Sequence, residues 1–185
     1  VHITYEPALT DVMPSLFLDY GVTSVRDTGG LLALLQPQID QWRAAGAIAP
    51  RIYFSGPLLD GAKVVYDGYN RPQIGVANAT VQSAKRQVAR LAAAGVDFIK
   101  IYELVSPQVF DALVAAANAY DLPIAAHVPL ALEVSMAGPR VDSMEHLRNV
   151  ELSCAEDAEG LLTERRGRLF ESNAVSGYQL RSEIH

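Results

Sequence analysis

The feature that most constrains this chain is a phrase that recurs along it: a helix-like run stopped by glycine, a short apolar strand, then a polar residue at the strand's end. Gly21-Val22-Thr23-Ser24-Val25-Arg26 and Gly95-Val96-Asp97-Phe98-Ile99-Lys100 share its phase, and Gly138-Pro139-Arg140-Val141-Asp142-Ser143-Met144-Glu145-His146 is a looser third copy. Strands are expected at residues 23–26, 51–55, 98–102, 123–127 and 143–146, with residues 1–4 as the stump of an earlier one. Helices are expected at 8–20, 31–45, 80–94, 107–120 and 130–137. The helix at 107 is the best marked, because Ser106 offers an N-cap and Pro107 fits the first helical position. Alternating β and α units imply a parallel sheet with helices outside it, and right-handed crossovers leave a doubly wound sheet or a barrel.

Length narrows the choice. An eightfold (β/α) barrel typically needs ~250 residues, and this sequence has 185. About five to six β/α units are legible in it. The expected fold is therefore α/β: an incomplete (β/α)8 TIM-type barrel, one partial barrel domain over 1–185, running from the first-strand stump through the sixth strand and the helix after it. Residues 61–79 form the one long irregular stretch and read as a loop over one end of the sheet, carrying Tyr66, Tyr69, Asn70 and Arg71. The tail from 168 to 185 predicts no element, and His185 at its end is assigned no role.

Charge and cysteine content remove several function classes. The net charge is −6, and the only basic cluster is Arg165-Arg166. Nucleic acid and anionic membranes recruit Lys/Arg clusters, so neither is expected as a partner. No apolar run approaches the ~20 residues of a spanning helix. A single cysteine, Cys154, excludes a disulfide framework and a cysteine-rich zinc site. Compartment stays open, as does oligomeric state, with a homo-oligomer compatible with everything above.

Chemistry concentrates at strand ends. In Val96-Asp97-Phe98-Ile99-Lys100-Ile101-Tyr102, alternation puts Phe98, Lys100 and Tyr102 on one face and Asp97, Ile99 and Ile101 on the other. Burying an ammonium there is costly, and desolvation favours the neutral amine. A neutral amine can capture carbon dioxide as a carbamate, an anion with two oxygens; the bland alternative is a lysine snorkelling to water. His127 ends the apolar run from Leu122, and His146 ends the run from Val141. Each alone is more often a hydrogen-bonded structural histidine. Together, a Lys and two His at the ends of three consecutive strands occupy the end where such barrels build active sites, and neutral imidazole is a good transition-metal ligand. His2 lies on the strand stump. Glu145 should point away from His146 and reads as a supporting or structural carboxylate, not a ligand, and Arg26 is expected to pair with Asp27 in preference to meeting an anionic substrate group. Gly29-Gly30 is a turn into the next helix, without the remaining spacing of a phosphate loop.

Gly21 through Gly30, Arg51-Ile52-Tyr53-Phe54-Ser55-Gly56-Pro57, Asp97 through Tyr102, Ala126-His127 and Ser143-Met144-Glu145-His146-Leu147 together resemble the amidohydrolase superfamily, and most closely its imidazolonepropionase- and prolidase-related branch. The resemblance covers roughly His2 to Val150. It implies two divalent metal ions, usually zinc. Val1-His2 matches the last two positions of a first-strand His-x-His. Lys100 matches the carbamylated lysine that bridges the metals. His127 and His146 match the histidines of the second metal. The family's first His and its eighth-strand Asp have no matching position in this sequence. The implied activity is hydrolysis of an amide bond, in a dipeptide or other small molecule, by metal-activated water. Tyr102, on the face of Lys100, is the candidate for binding the substrate and assisting catalysis, with an aromatic that simply fills the barrel mouth as the equal alternative. Two other readings stand beside this one: a barrel fragment without activity, and a different barrel enzyme in which Lys100 forms a Schiff base with a carbonyl substrate.

Overall fold

A computed structural model describes residues 1–69 and 71–169, so Asn70 and the tail with His185 lie outside the described residues. Among the described residues there are seven short strands, all parallel to their partners. They are β1 (Ser24–Asp27), β2 (Arg51–Phe54), β3 (Leu58–Asp60), β4 (Gly75–Ala77), β5 (Ile99–Ile101), β6 (Ile124–Ala126) and β7 (Ser143–Met144). Helices lie before β1, between β1 and β2 and between the strands from β4 onward. β1 pairs with β2, and the larger sheet runs β4-β3-β5-β6-β7.

β2 and β3 are two stretches of one track. Gly56 between them takes φ 73°, a left-handed conformation that side chains disfavour. A Cβ there would also come within 2.9 Å of Leu91. Across this kink the track stays bonded on both sides. Ser55 N–H donates to Asp27 at 3.0 Å, Asp97 N–H to Phe54 at 2.9 Å, and Tyr102 N–H to Leu59 at 2.9 Å. The β-order is therefore β1, β2/β3, β5, β6, β7, the sequential parallel arrangement of a (β/α) barrel wall, with β4 added on the other side of β3.

The α-helices of the described residues are α1 (Met13–Asp19), α2 (Leu32–Arg43), α3 (Val81–Ala93), α4 (Pro107–Ala119), α5 (Val134–Ala137) and α6 (Ala158–Arg168). Ser106 caps α4 as the sequence indicates, accepting from Val109 N–H. Thr80 caps α3 with a reciprocal Thr80–Ser83 box. Leu91 and Val88 of α3 and Phe110 and Leu113 of α4 pack on Ile99, Ile101, Ile124 and Ala126, all within 4% of full burial. That layer is dry because alternation sends every second strand residue outward onto the helices.

Four expectations need correction. Residues 1–4 are not a strand; Val1 alone pairs along β1, its amino group donating to Arg26 and its carbonyl accepting from Thr28, and a turn closes at Tyr5. The helix expected at 130–137 starts only at Val134; it ends at Ala137 with Gly138 as its cap, as expected, and a 3-10 turn over Gly138–Arg140 follows. The first helix is also shorter than 8–20, since a 3-10 turn at Pro7–Leu9 precedes α1. Residues 58–60 and 75–77, the latter inside the long loop, are strands that the sequence pattern did not announce: one follows directly on the Gly56-Pro57 turn and the other sits in an irregular stretch.

Candidate active site

The polar side chains gather on the inner face of the sheet, at the carboxyl ends of β5, β6 and β7. Lys100 sits in the middle of β5, 2% exposed. Its Nζ is buried and has no hydrogen-bond partner. Burial lowers its pKa to about 7, against the opposing pull of the Glu145 and Glu103 carboxylates. An amine held this way is largely neutral near physiological pH.

His127 follows β6 directly and points to the same face. Its Nδ1 lies 3.0 Å from Glu103 Oε1. Burial pushes Glu103 up, but the His127 hydrogen bond and the Arg148 charge outweigh it and bring the carboxyl to about 2. Burial likewise lowers His127 to about 4. A carboxylate only accepts hydrogen bonds, so Nδ1 carries the proton and Nε2 keeps its lone pair. His2 has the same arrangement, its Nδ1 lying 3.1 Å from the Gly29 carbonyl. Gly29 is small enough to admit the ring: a Cβ there would stand 3.0 Å from His2 Nδ1. Desolvation, helped by the nearby amino terminus, lowers His2 to about 4.

His146 arrives by a different route. β7 ends at Met144, and alternation would send residue 146 to the face opposite Glu145. The backbone turns left-handed there, with φ 63° at His146, 52° at Leu147 and 67° at Asn149. The His146 ring lies 5.4 Å from that of His127, at 70° to it. Burial is the first cause of its lowered pKa and the Lys100 charge the second. The structure thus brings Lys100, His127 and His146 together, with His2 close enough that Lys100 and His146 both influence its titration. Among the described residues, no three His, Cys, Asp or Glu side chains are grouped closely enough to hold a metal ion by themselves.

Tyr102 lies on the inner face, as alternation requires, 4.6 Å from the His127 ring and 5.8 Å from that of Tyr66. Its hydroxyl titrates well above the usual range, first through burial and then through Glu103. Tyr66 brings the long loop over this end of the sheet, and Arg71 stands 5.5 Å above its ring. The expected Arg26–Asp27 pair does not form. Asp27 turns outward and accepts from the N–H groups of Ile3 and Gly29. Arg26 instead crosses the inner face to Glu145 at 2.9 Å and Ser143 at 3.3 Å. The reason is parity, since neighbours along a strand face opposite ways. Below them a cavity of about 300 Å³ is lined by Arg26, Tyr53, Phe98, Ala125 and Ser143.

Glu103 and Arg148 are the site residues that the sequence reading missed. Glu103 follows Tyr102, where continued alternation would face it outward, and nothing local marks Arg148. Cys154 is a free, exposed thiol. No described helix is long and apolar enough to cross a membrane.

No family model matches the sequence, and no curated protein does. Solved structures do. A bottromycin amidohydrolase superposes with a TM-score of 0.63 at 28% identity, over 83% of this chain and 34% of that one. A Xaa-Pro dipeptidase, solved with methionine in its active site, gives 0.61 at 17% identity, over 91% of this chain and 50% of that one. The ochratoxinase of A. niger gives 0.60 at 17%, over 96% and 51%. The chain thus spans between a third and about half the length of these proteins. The last two likenesses speak for the fold, and the first adds sequence. With the parallel strand order, they show that this chain shares its fold with part of known amidohydrolases, the bottromycin enzyme being similar in sequence as well.

Proposed function

We propose that the chain contributes to a metal-dependent hydrolase acting on an amide bond of a small molecule or dipeptide, with His2, Lys100, His127 and His146 as metal-site residues. The observation that carries this is Lys100: a buried amine, without a hydrogen-bond partner, on the same strand ends as two histidines whose rings lie 5.4 Å apart. An orphaned neutral amine is a poor structural element and a good trap for carbon dioxide. Its nitrogen bonds the carbon, one proton leaves, and the product is a carbamate with two oxygens. That anion adds the oxygen donors that the three histidines lack.

The donor set fits divalent metal. His2 and His127 have Nδ1 committed to an acceptor and Nε2 free, the form in which imidazole ligates. Nitrogen and carboxylate-like oxygen donors suit zinc among several metals. Two such ions, when bound, would supply Lewis acidity toward a carbonyl and lower the pKa of water from 15.7 toward about 7. The chain's own part is to hold and orient. The carbamate on Lys100 would neutralise part of the metal charge in a buried place. Tyr102 stays protonated because burial raises its pKa, so its hydroxyl can donate to a substrate carbonyl or carboxylate. Tyr66 beside it would wall off that position.

Metal analysis and carbon-13 NMR test this together. The chain prepared with zinc and ¹³C-bicarbonate should show stoichiometric metal and a carbamate signal, both lost in Lys100→Ala. A dipeptide and N-acyl amino-acid panel then reads activity. Absence of metal together with hydrolysis that survives Lys100→Ala would overturn the proposal. The same neutral Nζ would serve a Schiff base, which borohydride would trap with a carbonyl compound. That reading leaves the fixed Nε2 lone pairs of His2 and His127 without a task.

A further inference from the structure

The least expected feature of the site is a carboxylate. Glu103 is fully buried, directly after a strand whose alternation would have faced it to the helices. Burying an isolated carboxylate costs several kcal/mol even after relaxation. Glu103 avoids that cost by engaging two partners from two different strand ends. Oε1 takes His127 Nδ1 at 3.0 Å and also Arg148 Nε, while Oε2 takes Arg148 Nη2 at 3.4 Å.

Arg148 stands two residues beyond His146, in the turn with three left-handed non-glycine residues. Such a backbone persists only where its surroundings hold it. One further bond braces the same turn against the His127 segment, and a second ties that segment to Glu103 itself. Asn149 Nδ2 donates to the Val128 carbonyl at 2.7 Å, and Leu130 N–H donates to the Glu103 carbonyl at 2.9 Å. A single buried carboxylate thus reaches both histidines, one directly and one through the arginine of its turn.

We propose that Glu103 and Arg148 are positioning residues: Glu103 holds His127 as the Nδ1–H tautomer with Nε2 toward Lys100 and His146, and Arg148 ties the His146 turn to that carboxylate. The purpose of the arrangement, a fixed distance between two ligating imidazoles, rests on the metal reading above. The geometry itself does not, because the tautomer and the turn are properties of the metal-free chain. A merely structural ion pair would bury the same atoms but would leave the imidazole tautomer and its partner's placement unspecified.

The test is two-bond ¹H–¹⁵N correlation NMR of the histidine rings in the metal-free chain, with His127→Gln assigning the resonance, followed by zinc affinity from chelator competition. The wild-type chain should show His127 as a single Nδ1–H tautomer. Glu103→Ala should give a tautomer mixture and weaken zinc by roughly 10–100-fold, the range for losing such a partner. Arg148→Met should keep the His127 tautomer, shift the His146 ring and weaken zinc, and Arg148→Lys should recover part of that loss. Should Glu103→Ala not fold, the wild-type tautomer and the two Arg148 variants decide. A wild-type His127 protonated on Nε2, or zinc affinity unchanged in the folded Arg148→Met chain, would overturn the proposal. A wild-type chain with the tautomer in place that takes up no zinc would instead overturn the metal reading and leave the positioning intact.

Discussion

The two faces of β5 and β6 are built on opposite physics. Outward, Ile99, Ile101, Ile124 and Ala126 meet α3 and α4 in a layer held by apolar contact alone. Inward, within the same few residues, stand a lysine without a partner, a buried glutamate and a histidine fixed by that glutamate. Both faces are equally buried, so exposure does not distinguish them. What differs is the sign of their contribution: the outer face stabilises the fold, and Lys100 on the inner face costs stability that the outer face supplies. Sites that spend stability on strained or desolvated groups are where function is expected.

The contrast between the two faces should be largest at Lys100. Burial holds its pKa near 7, against 10.5 in an unfolded chain. Between those values the unfolded chain binds more protons, so stability rises with pH across that window. Below about 7 the full penalty applies. Lys100→Met, studied in chelator, should therefore be more stable than the parent by up to about 5 kcal/mol near pH 6, the gap closing as pH approaches 10. Urea unfolding over that pH range measures it, and a gap flat with pH would put the amine in water.

The outer face should respond in the opposite direction and without pH dependence. Leu113 of α4 is fully buried, and Leu113→Ala should cost about 2–5 kcal/mol, read as a lower urea midpoint at pH 6 and pH 9 alike. Smaller again is the cap of α3. Thr80→Ala removes an acceptor for Ser83 N–H and should cost about 1 kcal/mol, visible as a thermal shift of a few degrees at most. The smallest effect belongs to the Arg26–Glu145 pair, since the arginine is 47% exposed. Glu145→Gln should change stability by less than about 1 kcal/mol, and added salt should shrink even that. A large, salt-independent loss would show that this inner pair is braced as firmly as Glu103.

Much of the outer face was legible in the sequence. The strands around Ile52, Ile99 and Ile124 and the helices begun by Thr80 and Ser106 lie where local pattern puts them, because alternation, helical spacing and caps act between near neighbours. Lys100 and His127 were legible for the same reason: each sits in or just after an apolar strand and inherits its parity. The short strands β3 and β4, the late start of α5 and the His2 segment were not, since β3 follows the Gly56-Pro57 turn and β4 lies inside the irregular stretch, where no longer apolar run or neighbouring helix signal marks them.

The sequence by itself determined the repeating β/α order, the parallel sheet and the inward face of β5, all consequences of local periodicity. Only the tertiary structure decided the company those residues keep. It sent Arg26 to Glu145 and away from Asp27, turned His146 inward through a left-handed backbone, and closed Glu103 on both His127 and Arg148. Those are encounters between residues 24 to 119 positions apart. No local rule specifies them, because a buried charge is satisfied by whichever partner the folded chain brings within hydrogen-bond reach.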